Sequence, residues 1–290
     1  MFYFLSLLMG ILISVMIAVN GGLTTHYGVY TATVIIHIVG LILIVGVVAM
    51  KKERFFPARF PWFLYLGGAI GVLTTVYNNL SFGRISVSAI LALGLFGQSV
   101  TGLVIDQYGF FGMQKHPFSK EKTIGLLLIL AGIASMITGF EVVAVIVSFI
   151  AGVNIVLSRT INAKLADRTS VRVSTFYNYF VGLIVAIPVF LLLGRGEMIF
   201  TSLTLSPRWY IYFGGVLGVC VVLLGNMVVV KVSAFYLTLL IFVGQVFSGV
   251  LIDIFLAASV SWRIIVGGVL VTAGLVVNLL LDYRNKGISR

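Results

Sequence analysis

The sequence predicts an all-α, polytopic membrane protein whose ten transmembrane helices form a 5+5 inverted repeat within one transmembrane domain, residues 1–290. Three observations lead there. Hydrophobic residues make up 60% of the chain and charged ones only 9%, more apolar surface than a soluble core of this length can hide, so the solvent must be lipid. Ten apolar stretches each come close to the ~20 residues that a helix needs to cross a hydrocarbon layer roughly 30 Å thick. The chain also matches itself at offsets of 147 and 142 positions.

The first stretch, 2–19, reads FYFLSLLMGILISVMIAV. It has no basic residues ahead of it and no small-residue cleavage site before NGGLTTHYG, so it reads as a retained span and not a signal peptide. NGGLTTHYG then reads as the first loop. The second span, 30–50, ends on Lys51 and Lys52, and the third covers 61–82. The fourth, 86–106, opens on Ser86 and ends on Asp106; the fifth is 123–140. The sixth to tenth spans are 142–158, 173–194, 208–230, 233–254 and 263–281. A membrane barrel would show short alternating strands instead, and none is visible.

The net charge of +11 is explained by topology. With the N-terminus on one side, that side collects Lys51, Lys52, Arg54, Arg59, Lys115, Lys120, Lys122, Arg159, Lys164, Arg168, Arg172, Lys231, Arg284, Lys286 and Arg290. Only Arg84, Arg195, Arg208 and Arg263 fall opposite. This is the positive-inside pattern, so both termini are expected in the cytoplasm and no nucleic-acid partner is needed. The single cysteine, Cys220, can form no intramolecular disulfide.

The repeat defines two units, 1–141 and 142–290. At the 147 offset, Gly67, Gly68, Gly71, Asn79, Gln98 and Asp106 match Gly214, Gly215, Gly218, Asn226, Gln245 and Asp253, and Arg84 pairs with Lys231. At the 142 offset, Gly10 matches Gly152, Asn20 matches Asn162, and VGLI recurs at 39–42 and 181–184. Five helices per unit turn the second unit upside down. The loop charges agree: NGGLTTHYG has no Lys or Arg, whereas its mate NAKLADRTS carries Lys164 and Arg168. Inverted repeats are the recurring design of secondary transporters, with a site near the bilayer midplane exposed alternately to either side.

The five-plus-five arrangement, the GQ(x)3G(x)3D motif late in the fourth span of each unit, and the shared N(x)2L and GL runs across spans one and two resemble the drug/metabolite transporter superfamily. The closest likeness is its YdcZ-like branch of small bacterial transporters, covering the whole chain as two tandem copies. This resemblance implies a ten-helix carrier in a bacterial or archaeal cell (inner) membrane, and it implies no substrate. Its analogy also places helices three, four, eight and nine along the path, with one and six contributing.

Candidate substrate-binding residues are Gln98, Gln245, Asn79, Asn226, His37, Asn178, Tyr77 and Tyr179. Gln98 and Gln245 sit near half depth in spans four and nine, where a carboxamide needs partners; interhelical bonding and solute contact both fit. Gly94, Gln98, Gly102 and Asp106 recur every fourth residue and form one stripe, whose glycines fit close helix approach. Asn79 and Asn226 lie near span ends, where capping competes with binding. His37, in mid-span, fits either a proton relay or a packing role. The tyrosines, Tyr177 among them, offer aromatic faces. For gating, Asp106 with Lys231 would close the inner side and Asp253 with Arg84 the outer side, against the plainer reading of four solvated charges at helix ends.

No phosphate-binding G(x)4GK[ST] loop and no HExxH zinc spacing occurs in the sequence. The expectation is a secondary-active transporter, not an enzyme, moving a small organic metabolite or drug by alternating access without a cofactor or metal. A membrane enzyme and a non-transporting scaffold are the alternatives. The expected partners are a small-molecule substrate, membrane lipid and a coupling proton or ion. With no acid in mid-span, a neutral or zwitterionic solute fits better than a strongly bound cation. The glycine-lined faces fit packing within the chain and equally a homodimer contact.

Overall fold

The computed structural model describes residues 1–56, 59–110, 122–137, 141–197, 205–228, 234–257 and 262–288. These form ten α-helices: α1 Phe2–Tyr27, α2 Val29–Met50, α3 Leu66–Ser81, α4 Val87–Tyr108, α5 Lys122–Met136, α6 Val142–Arg168, α7 Val171–Leu193, α8 Gly214–Val228, α9 Ala234–Ala257 and α10 Trp262–Ile288. Short 3₁₀ turns over Trp62–Tyr65 and Trp209–Phe213 lead into α3 and α8. Among the described residues, six helical segments are long and apolar enough to cross a membrane: α1, α2, α4, α6, α7, and α8 together with the 3₁₀ turn before it. Outward-facing Ile42, Leu192, Leu193 and Phe255 are exposed, and so much apolar surface calls for hydrocarbon around the bundle.

Two helices run further than expected. α1 continues to Tyr27 and α6 to Arg168, so NGGLTTHY and NAKLADR are final helical turns and not loops. The breaks fall at Gly28, which adopts a left-handed φ of 90°, and at Thr169. The physical reason is packing. Asn20 and Asn162 are buried at 6% and 5% exposure, each against a glycine of the other half: a methyl on Gly214 would overlap the Asn20 side chain, and one on Gly67 the Asn162 side chain. Tertiary contact overrides the weak helix propensity of Asn and Gly.

The same reciprocity holds throughout the bundle. α1 packs on α8 and α9, while α6 packs on α3 and α4. α2 crosses α7, and α5 pairs with α10. Glycine allows backbone to meet backbone at several helix crossings. Gly10 abuts the Ile241 carbonyl, and Gly152 the Gly94 carbonyl at the position equivalent to Ile241. Gly68 abuts Asn178 and Gly182, and Gly215 abuts Ile36 and Gly40. Gly125 meets Gly274, and Gly132 meets Gly267. The glycine stripe on α4 serves close approach at Gly94 and not at Gly102. A side chain on Gly102 would meet nothing within 4 Å, whereas Gly97, outside the stripe, is pressed against the Phe149 carbonyl.

Candidate functional site

Eight helices, α1–α4 and α6–α9, enclose a central cavity of about 190 Å³. One part of its wall is apolar, formed by Met9, Ile13 and Ile17 of α1, Ile90 and Leu91 of α4, and Val221 of α8. Another part is polar and comes from α6 and α7: Ser158, Arg159, Asn162 and Asn178. These side chains hold one another in place. Asn162 Nδ2 donates to Asn178 Oδ1 at 2.8 Å, Ser158 Oγ donates to the Gly67 carbonyl at 2.8 Å, and Ser174 Oγ donates to the Asn162 carbonyl at 2.7 Å.

Gln98 and Gln245 both reach this cavity, as do Asn226, His37, Asn178 and Tyr179. Gln245 Oε1 and Asn226 Nδ2 are buried with no hydrogen-bond partner among the described residues. His37 Nδ1 lies 2.8 Å from the Thr33 carbonyl, and because a carbonyl only accepts, Nδ1 carries the proton. His37 and Tyr179, equivalent at the 142 offset, lie side by side across the α2–α7 crossing.

Two expected residues lie elsewhere. Asn79 is buried outside the cavity and donates from Nδ2 to Thr33 Oγ1 at 3.3 Å. Tyr77 packs against the apolar cluster of Val72, Val76 and Ala186. One helical step, about 100°, separates Asn79 from Asn78, and it is Asn78, with Thr74 and Thr75, that faces the cavity.

The outer charge pair also differs from expectation. Asp253 is buried and accepts from the Val87 N–H at 2.7 Å, the Ser88 N–H at 2.9 Å and the Ser88 hydroxyl. It therefore caps the N-terminus of α4, where free N–H groups and the helix dipole favour an anion. Arg84 is exposed and makes no ion pair among the described residues. The inner pair falls outside the described residues at Lys231 and outside the described side chains at Asp106.

Arg159 is the residue that sequence reasoning misplaced. It reads there as a cytoplasmic loop charge just past the sixth span, but it lies inside α6 and lines the cavity. The signal was faint: a 17-residue apolar run looked long enough to end the span. Its repeat mate is Ile17, so self-alignment offers no polar partner to mark it. No carboxylate lines the cavity among the described residues.

A second depression of about 620 Å³ lies among Phe56, Arg59, Tyr65, Tyr177, Phe180 and Val181. It draws on α7 and the segment after α2 alone, and its rings pack on one another. The central cavity, to which eight helices contribute, is the better candidate site.

A helical membrane protein with a polar cavity shared by two related halves is the class that this geometry defines. The chain belongs to the DMT_YdcZ family, whose description reads "Putative inner membrane exporter, YdcZ"; the family model matches twice, over residues 1–135 and 143–277. The match makes the chain two tandem copies of one unit in a multi-pass membrane transporter family, and it points away from an enzyme. A solved crystal structure is similar over 97% of this chain and 96% of its own, with a TM-score of 0.63 at 14% identity; at that identity it speaks for the fold alone. No curated relative matches the sequence.

Proposed function

We propose that this protein is a secondary carrier that exports a small organic metabolite by alternating access, its ten helices all spanning the membrane as two inverted five-helix units with both termini in the cytoplasm. The observation that carries this reading is the central cavity, to which the two halves contribute repeat-related groups: Gln98 with Gln245, Asn20 with Asn162, and His37 with Tyr179. A site at the junction of inverted repeats can be exposed to either side by rocking one half against the other. The export direction follows the description of the family. With Arg159 set aside as a cavity residue, the 14-to-4 split of the remaining basic residues supports the orientation.

Purified protein reconstituted in liposomes tests this with a solute library, read as exchange of labelled solute with and without a proton gradient. Single cysteines at Gly28 and Thr169, in a Cys220→Ser background, should label from opposite faces. Labelling of both from one face, or no exchange of any solute, would overturn the reading.

A further inference from the structure

We propose that the solute is a small organic acid whose carboxylate is held by Arg159 and whose apolar body lies against α1, α4 and α8; this rests on the carrier reading above. A guanidinium stays charged inside proteins. A charge drawn into a low-dielectric interior is stable only when paired and hydrogen-bonded. Arg159 lines the cavity, and no ion pair or hydrogen bond engages its side chain among the described residues.

Among the described side chains, no acid of the chain supplies the partner. It has eight Asp and Glu. Glu53 is held by Arg172 and Ser170, Glu197 receives two N–H groups at the start of α2, and Asp253 caps α4. Glu141 and Asp167 are exposed at the ends of α6. Asp106 lies eight residues beyond Gln98, about 12 Å further along α4. Glu121 lies outside the described residues; Asp282, whose side chain is outside the described ones, falls in the last turns of α10, which does not line the cavity.

The neighbours of Arg159 sharpen the picture. Asn162 and Ser158 already spend donors on Asn178 and Gly67, and His37 spends its Nδ1 proton on Thr33. Asn226 Nδ2 is a buried donor without a partner among the described residues, and Gln245 Oε1 a buried acceptor without one. A carboxylate can take the guanidinium fork and the Asn226 amide together, while Gln245 can accept from a hydroxyl or amino group on the same solute. At about 190 Å³ the cavity is smaller than the roughly 300–1,000 Å³ usual for drug-sized ligands, which sets the solute class as small.

Thermal shift and calorimetry on the purified full chain test this with matched probes in three sizes: acetate, butyrate and benzoate against acetamide, butyramide and benzamide, and against the corresponding amines. In at least one size the acid should bind about tenfold or more tightly than its amide. Arg159→Gln should erase that preference, and Arg159→Lys, which keeps the charge, should retain part of it. Equal binding of acid and amide in every size, or an acid preference that survives Arg159→Gln, overturns the proposal. Reconstituted transport separates the two claims. Transport of amides or amines that is indifferent to Arg159→Gln leaves the carrier and sinks the anion; acid binding without transport of any probe leaves the anion site and sinks the carrier.

Discussion

His37 and Tyr179, which hold equivalent places in the two halves, face each other with ring centroids 5.8 Å apart. Each also lies over a glycine of the opposite helix, His37 against Gly182 and Tyr179 against Gly40. A methyl group on either glycine would overlap a ring, so Gly40→Ala and Gly182→Ala should each cost about 1–3 kcal/mol through overpacking. Gly46, on the same helix as Gly40, offers open space instead: a methyl there would meet nothing within 4 Å. Gly46→Ala should be neutral or stabilising by up to about 1 kcal/mol. Thermal unfolding of the detergent-solubilised protein checks all three.

Glu53 and Glu197 act as matching latches. Glu53, just after α2, takes the Arg172 Nε at 2.6 Å and the Ser170 hydroxyl at 2.5 Å at the start of α7. Glu197, just after α7, takes the Tyr30 and Thr31 N–H groups at 3.1 and 2.6 Å at the start of α2. Burial works against the charged Glu53 carboxylate, but its bonds from Arg172 and Ser170 and the charges of Arg172 and Lys51 outweigh this and hold its pKa below the ordinary value. A carboxyl lowered on folding stabilises fully above its unfolded pKa, about 4.3, and that stabilisation fades as pH falls through the folded value. Acidification below that range should therefore narrow the Tm gap between the native chain and Glu53→Gln. A gap that does not change between neutral and acid pH would count against the latch. Glu197→Ala, which leaves two helix N–H groups without their acceptor, should lower stability by about 0.5–2 kcal/mol.

Asp253 serves α4 and not Arg84. Asp253→Ala removes the acceptor for two N–H groups and a hydroxyl and should cost about 1–3 kcal/mol, whereas Arg84→Gln should leave unfolding unchanged. Exchanging the two charges should rescue nothing. Recovery of stability in the exchanged protein would restore the ion-pair picture.

Gln245 Oε1 is buried without a partner among the described residues, so its amide costs desolvation that the fold does not recover. Gln245→Leu should unfold at the same temperature as the native chain or slightly above it, while weakening solute binding. Gln98→Leu, whose side chain also faces the cavity, should lower binding with folding intact. A large loss of stability in either variant, measured by thermal unfolding beside binding, would make the amides structural.

Much of the fold was legible because a membrane span needs only a long apolar run, and because two copies of one unit mark their shared residues by repetition. Repetition marks Gln98, Gln245 and Asn226, and all three line the cavity. Helix ends were harder: Asn20 and Asn162 look like turn residues, and only their burial against Gly214 and Gly67 shows why α1 and α6 continue through them. Repetition marks Asn79 through its match with Asn226, but it carries no information about which face of a helix meets the cavity, and there Asn78 takes its place. Arg159 was misread for the opposite reason. It breaks the repeat, and a site that must treat the two ends of a solute differently is where two equivalent halves have to diverge.

The lone guanidinium has an electrical corollary. In the alternating-access scheme, a vacant site holding Arg159 carries one positive charge through part of the membrane voltage, at up to about 2.3 kcal/mol per 100 mV for a complete crossing, whereas the site carrying a monoanion is neutral. A cell interior held negative then draws the empty carrier toward the cytoplasm to load and leaves the filled carrier indifferent to voltage, so resting potential alone would bias the cycle outward.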